Sequence, residues 1–191
     1  LGYRHNLFAT SLRLQKTHTI GVILHELNSY FITSVLAGIE KIVRAAKYNL
    51  IIVHSAESAE IEVANAHSLF HKRVDGVIAS LSFNTKDLSH FQQFQSKNIP
   101  IVYFDRVFEN SEGAKIIINN FQAGYDATSH LIEQGCKHIA HITSSLNRNV
   151  YAERLRGYKQ ALLDHKFKFD EKLLIVDGLK EEDAKRSADR I

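Results

Sequence analysis

Seven short apolar runs, rich in Ile and Val, punctuate this chain at residues 19–24, 50–53, 74–80, 99–104, 115–118, 138–143 and 173–176. Most lack polar alternation, which is how strands buried on both faces of a parallel sheet read. Between the runs lie longer stretches with helical spacing. Phe31, Val35, Ile39, Ile42 and Ala46 recur at intervals of three or four and define one apolar helix face. Ile61, Ala66, Leu69 and Phe70 give a second stripe, and Leu88, Phe91 and Phe94 a third. Parallel neighbours need a crossover, usually a helix. The chain is therefore expected to be α/β, with βαβ crossovers and a doubly wound sheet. The sole proline, Pro100, sits at the start of its strand, where a missing N–H costs least.

Composition narrows the class. A chain of 191 residues with 45% hydrophobic and 24% charged side chains is globular, neither disordered nor fibrous. The longest apolar run, residues 20–24, falls far short of the roughly 18–20 residues a membrane span needs. No signal-like apolar segment opens the sequence. The single cysteine, Cys136, cannot form an internal disulfide, which points to a reducing cytoplasm. The net charge of +3 is mild, but its distribution is uneven. Residues 1–25 hold Arg4, Arg13 and Lys16 with His5, His18 and His25, and the first acid is Glu26. Such a leader is either an arm that meets phosphates or a solvated linker. The sequence opens at Leu1 and closes inside a charged helical stretch, 180–191, so a piece of a longer protein is expected.

In open parallel sheets, ligands bind beyond the carboxyl ends of the strands. That rule selects 26–31 after the first strand, 55–57 after the second, 82–84 after the third, Asp105-Arg106 after the fourth and 144–149 after the sixth. These loops carry two adjacent aromatics, amides, hydroxyls, a carboxylate and two arginines. Aromatic faces stack on planar rings or the C–H face of a sugar, and carboxylate and guanidinium groups bond hydroxyls with fixed geometry. The inventory suits a small polyhydroxylated or heterocyclic ligand.

Taken in order, several motifs resemble those of the LacI/GalR transcriptional repressors. The opening Leu1-Gly2-Tyr3-Arg4-His5-Asn6, Ala9-Thr10-Ser11-Leu12-Arg13 and Thr17-His18-Thr19-Ile20-Gly21-Val22-Ile23 looks like the end of the headpiece, the hinge helix and the first strand of the effector domain. Asn28-Ser29-Tyr30-Phe31 resembles the family's Asn-Pro-Phe-Phe loop, and Arg73-Val74-Asp75-Gly76-Val77-Ile78 its third-strand signature. Ile99-Pro100-Ile101-Val102 with Asp105-Arg106, Asn119-Asn120 with Ala123-Gly124 and His130-Leu131-Ile132, and Arg154 with Gly157-Tyr158 follow in the family's order. Departures are Ser29 for proline, Asn119 for aspartate, Cys136 for histidine, and Val150 where the purine-binding member has threonine. The Asp105-Arg106 pair is similar to that of sugar-binding members.

The resemblance implies a periplasmic-binding-protein-like fold: two Rossmann-like lobes with parallel sheets, the second incomplete in this chain. The implied divisions are 1–18 for headpiece end and hinge, 19–135 for the first lobe and 136–191 for the start of the second. It implies a cytoplasmic, homodimeric DNA-binding regulator of repressor type, with no membrane attachment, whose lobes close on a small ligand, a sugar or sugar derivative. Closure would rearrange the dimer and its hinges and so alter operator affinity, with ligand and DNA coupled reciprocally. The implied effector-binding residues are Asn28, Tyr30, Phe31, Asp105, Arg106, Gln122, Arg148 and Arg154. The implied operator contacts are Arg4, Asn6, Ala9, Leu12, Arg13 and Lys16, with Asn6 capping a short hinge helix and Leu12 wedging between base steps in the minor groove. Such a helix is too short to hold alone in water and should form on DNA. A sugar-binding protein of a transport system is the alternative on the same fold.

Other chemistries find little support. No Gly-x-Ser-x-Gly elbow, P-loop or Gly-x-Gly-x-x-Gly occurs, so no enzyme activity and no cofactor are expected. His67 and His71 have the i, i+4 spacing of a metal pair but no evident third ligand, so no metal is expected. Tyr30 and Phe31 have a plainer reading as core residues at a helix start, Asp105 and Arg106 as a surface ion pair, and Arg154 as a partner of Glu153 or Asp164.

Overall fold

A computed structural model describes residues 16–178 and 180–189 of the chain. In order these form β1 (Thr19–Leu24), α1 (Tyr30–Ala45), β2 (Asn49–His54), α2 (Ala59–His71) and β3 (Gly76–Ala79). A 3-10 turn (Ser89–Phe91) runs into the short α3 (Gln92–Gln95), then come β4 (Ile101–Phe104), β5 (Ala114–Ile116) and α4 (Asn120–Glu133). The remainder is β6 (His141–Thr143), α5 (Asn149–Asp164), a 3-10 turn (Glu171–Leu173), β7 (Leu174–Val176) and α6 (Glu181–Ala188). All seven expected strands are present. The third apolar stripe, however, makes only a 3-10 turn and one helical turn, with Phe91 and Phe94 fully buried.

The chain divides into two compact units. The first runs up to Phe104 and takes in Ser111–Ile116; the second comprises Asp105–Asn110 and the residues from Ile117 onward. This corrects the expected boundary at residues 135 and 136. Helix α4 belongs to the second unit because it lies against α5, with backbones close together. A Cβ at Gly124 would collide with the Arg154 carbonyl, and one at Gly157 with the Phe121 carbonyl. Only glycines let two helices approach so closely. Gly157 of the Arg-x-x-Gly motif is thereby a packing residue.

In the first unit the five strands are parallel, in the order β2-β1-β3-β4-β5. The chain leaves β1 for one edge, returns through β3, and proceeds to the other edge. The β1/β3 junction is thus the point where strand order reverses. Val22, Ile23 and Leu24 of the central β1 are wholly inaccessible, as a two-sided burial requires. On one face, Val22, Leu24 and Phe104 pack with Ile32, Val35, Leu36 and Ile39 of α1. On the other, Gly21 leaves the space that Leu69 of α2 fills.

Both expected helix stripes hold in the middle and miss at the ends: Val35 and Ile39, and Ala66 and Leu69, do face the sheet. In α1 the inward residues are Ile32, Val35, Leu36 and Ile39, while Phe31 is 46% and Ile42 68% exposed, and Ala46 is exposed too. In α2 the fully buried residues are Glu62, Ala66 and Leu69, and Ile61 lies outside at 45% exposure. Each set keeps the i, i+4, i+7 spacing of one helix face.

The second unit has a two-stranded parallel sheet, β6-β7. Ile139, Leu155, Tyr158 and Leu162 form its core, with Cys136 packed against them. The departures from the family pattern at Ser29 and Asn119 keep a local function. Both are N-caps: Ser29 Oγ accepts from the Ile32 N–H of α1 at 3.5 Å, and Asn119 Oδ1 from the Gln122 N–H of α4 at 3.0 Å.

Candidate functional site

In the first unit the strand-order reversal places three loops at one rim: the segment after β1, the 55–58 turn after β2 and the 80–85 loop after β3. Asn28, Tyr30 and Phe31 stand here, all exposed, with Tyr30 at 90%. Ser29 caps α1 and so sets where Tyr30 and Phe31 project. The core reading of these two aromatics is excluded by their exposure. A tyrosine ring left in water at a capped helix start is a ready stacking face.

Beneath the exposed groups lies a buried polar layer that the sequence reasoning missed. The fully buried Glu62 carboxylate accepts from Ser82 N–H at 2.7 Å, Ser82 Oγ at 3.0 Å and Thr85 Oγ1 at 3.0 Å. His90 Nε2 lies 3.1 Å from Oε1, the oxygen that Thr85 also meets. Ser82 Oγ also lies 2.6 Å from Ser55 Oγ, which is 3.2 Å from the Leu24 carbonyl; two hydroxyl protons are shared among these contacts and the one to Glu62. His25 Nδ1 pairs with Ser80 Oγ at 2.9 Å, and Glu57 accepts from Phe83 N–H at 3.0 Å. One network therefore ties the ends of β1, β2 and β3 together. A buried carboxylate is tolerable only with such a donor set, and the same bonds hold the loop rigid. Ala56 and Glu57 are both in the left-handed region, at φ 48° and 62°, a local strain the network holds in place. The signal for Glu62 was its spacing to Ala66 and Leu69, four and seven residues on. An acid on a buried stripe calls for donors nearby.

The second unit collects the other expected residues. Asp105 turns the chain out of β4 at φ 57°, a conformation short polar side chains tolerate better than most. Arg106 is buried, its Nη2 donates to Tyr151 Oη at 2.9 Å, and its guanidinium lies 5.5 Å from that ring's centre. Arg148 is also buried, N-terminal to α5, with its guanidinium over the Phe108 ring at 4.9 Å. Asn149 fastens the same loop twice: Nδ2 donates to the Asp105 carbonyl at 2.9 Å and Oδ1 accepts from Val107 N–H at 3.0 Å. Asn149 and Tyr151 thus join the site as positioning groups. The two arginines are pre-oriented by aromatic faces and hydrogen bonds, as planar guanidinium permits.

Arg154 is half-buried and its Nε donates to Asn120 Oδ1 at 2.9 Å. The alternative partners are taken up elsewhere: Glu153 by Arg156, Asp164 by Gln160 and Tyr125. Gln122 is exposed on the first turn of α4, with its amide donating to Asp126 at 2.7 Å. His141 stacks on Tyr158 at 4.9 Å; burial, and after it the positive charge of Arg154, hold its imidazole below the ordinary histidine range. Asn28, Tyr30 and Phe31 thus share one rim, Asp105, Arg106 and Arg148 share one loop cluster, and Arg154 and Gln122 lie on the α5 and α4 helices of the second unit.

Of the expected operator residues, Arg4, Asn6, Ala9, Leu12 and Arg13 lie outside the described residues. Lys16 is described, and it is exposed. The histidine pair 67 and 71 is engaged locally, His67 Nδ1 with Gln93 at 3.2 Å and His71 Nδ1 with the His67 carbonyl at 2.7 Å. Among the described residues no group of three His, Cys, Asp or Glu side chains could hold a metal ion, and no helix is long and apolar enough to cross a membrane.

A five-stranded parallel sheet with reversed strand order and helices against both faces defines a doubly wound α/β domain. Residues 17–186 match the family of periplasmic binding proteins and the sugar-binding domain of the LacI family, and the chain belongs to that family. It is 29% identical to catabolite control protein A of Priestia megaterium over 98% of its own length and 60% of that protein. It is 33% identical to the transcriptional regulator RegA of Clostridium saccharobutylicum, over 94% of this chain and 54% of the relative. The structure of the regulator CcpA of Lactococcus lactis superposes with a TM-score of 0.80 at 30% identity, over 90% of this chain and 63% of that one. The chain spans about half to three-fifths of the relatives it matches.

Proposed function

We infer that the chain is the effector-sensing part of a cytoplasmic DNA-binding transcriptional repressor, whose small ligand is a sugar or sugar derivative. The observation that carries this reading is the exposed Tyr30 and Phe31 beside a rim of hydroxyls and amides, on a chain that belongs to a sugar-binding family. Asn28, Tyr30 and Phe31 contribute a stacking face and an amide. Asp105, Arg106, Arg148 and Arg154 contribute groups that bond hydroxyl or anionic oxygens, with Gln122 as an accessory amide. Such a mixture of aromatic face and fixed polar groups is what discriminates one polyol from another.

The repressor is a homodimer in this reading, and residues 1–18 supply the end of its headpiece and its hinge. It catalyses no reaction. Ligand binding favours one arrangement of the lobes and thereby changes operator affinity, by a coupling of about 1–3 kcal/mol in typical cases.

Two measurements test this. A thermal-shift screen of sugars, sugar phosphates and nucleosides on the full-length protein should find a ligand that raises its melting temperature. A DNA titration across a salt series should show affinity falling steeply with salt, in proportion to the phosphates neutralised. A flat salt plot together with a sugar response would favour a transport-type sugar-binding protein and sink the repressor reading.

A further inference from the structure

The opposite rim of the first unit carries a different kind of surface. A groove of about 630 Å³ opens at the amino ends of β1, β3 and β4. Its floor is apolar, from Phe70, Val74 and Ile99; Lys16, Arg73 and Lys97 line it as cations. All three are exposed, and none of the three side chains makes an ion pair or hydrogen bond among the described residues. Lys72 adds a fourth exposed cation beside Arg73. The one acid in the lining, Asp75, is bonded by the chain itself. Its Oδ1 accepts from Thr17 N–H at 2.8 Å and Thr17 Oγ1 at 3.0 Å, and its Oδ2 from His18 N–H at 2.8 Å. Those donors are neutral, so Asp75 keeps its charge, and the lining holds Lys16, Arg73 and Lys97 against one carboxylate, a net positive field.

We propose that this groove is a second phosphate-binding surface for the DNA backbone next to the minor groove that the arm enters. The proposal rests on the repressor reading. Its own argument is reach and charge. Lys16 lies only four residues beyond Leu12, and four residues span at most about 14 Å. Whatever duplex holds Leu12 must therefore bring its phosphates close to Lys16 and to the cations that share its groove. At physiological salt, charges act over roughly 8–10 Å before screening removes them. Long lysine and arginine arms close much of the remaining gap. An acidic protein is the competing occupant, but nothing on the groove offers the hydrogen-bonded pattern a peptide needs, whereas phosphates need only unpaired cations. The amino-end rim then adds sequence-independent affinity and leaves base readout to the arm and headpiece.

The test uses full-length protein and a duplex that this protein selects from a random pool. The variant is Arg73→Gln with Lys97→Gln; both residues lie outside the proposed arm and the effector set. Wild type and variant are titrated with DNA across a salt series. The variant's log K against log [salt] slope should be shallower by about 0.9 for each phosphate it no longer neutralises, about two per chain. Its melting temperature and its response to the effector found by thermal shift should match wild type. The charge-preserving variant Arg73→Lys with Lys97→Arg should restore the slope. Equal slopes for wild type and the Gln variant would overturn this inference while leaving the repressor reading standing. A wild-type plot with no salt dependence would remove both.

Discussion

The two rims of one five-stranded sheet handle polar groups in opposite ways. At the carboxyl rim, Glu62, Ser55 and Ser82 are buried and bonded to one another, and buried His25 is bonded to buried Ser80. At the amino rim, Lys16, Arg73 and Lys97 are exposed and, among the described residues, their side chains make no ion pair. The first arrangement fixes distances to tenths of an ångström and suits a small ligand with directional bonds. The second fixes little and suits a partner felt through long-range charge. The strands are common to both rims; the difference lies in whether the polar groups were taken out of water.

The comparison predicts that substitutions in the buried polar layer of the carboxyl rim act through stability and those at exposed positions of either rim do not. Glu62→Leu has the largest expected effect. It leaves the Ser82 N–H, the Ser82 and Thr85 hydroxyls and His90 without their acceptor, and should lower unfolding free energy by about 3 kcal/mol in urea titrations, since each orphaned buried polar group costs roughly 1–3. Glu62→Gln keeps the shape and should cost about half as much. If Glu62→Leu melted like wild type, the buried layer would not be what holds the rim. Next is Gly157→Ala in the second unit, where a Cβ meets the Phe121 carbonyl. Overpacking of this kind costs about 1–3 kcal/mol, readable in the same titration.

Much of this architecture was legible in the sequence, and the misreadings have a common cause. The seven apolar runs located every strand, because central strands of a parallel sheet must be apolar on both faces. The helices were found, with Val35, Ile39, Ala66 and Leu69 facing the sheet as expected but the ends of each stripe misplaced. Phe31 and Ile42 read as core by hydrophobicity and are exposed, while Ile32 and Leu36 point inward. Periodicity fixes that a helix has a face, not which of two adjacent apolar stripes meets the sheet. Glu62 was invisible for the reverse reason: its place on the buried stripe is only explicable once Ser82, Thr85 and His90, from distant segments, come round to it. The α4 boundary went astray because close packing on α5 depends on Gly124 and Gly157, thirty-three positions apart in the chain. Asp105 and Arg106 were singled out by the strand-end rule and by the family resemblance, whereas Asn149, which bonds Asp105 and Val107, lay in a selected loop with no role of its own.

Smaller effects sharpen the contrast. Tyr30→Ala removes an exposed ring and should change stability by less than about 0.5 kcal/mol, as surface substitutions usually do. It should nevertheless abolish or weaken several-fold the thermal shift given by the effector; an undiminished shift would take Tyr30 out of the site. The smallest effect belongs to His141. Its imidazole is held below the ordinary range by burial and then by Arg154, so the folded state binds a proton less readily than the unfolded chain. Its contribution is complete above the unfolded value near 6.5 and is lost as pH falls below it. His141→Gln should therefore flatten the decline in melting temperature on mild acidification. A decline equally steep in the variant would place the sensitivity elsewhere.

Asp75 leaves one further consequence. It stands immediately ahead of β3, and its single carboxylate grips Thr17 and His18 while the far end of that strand leads into the Ser82 loop. The strand is four residues long and hydrogen-bonded on both sides. Thr17 and His18 are thus tied, through one short strand paired on both sides, to the loop that carries Ser82 at the far rim.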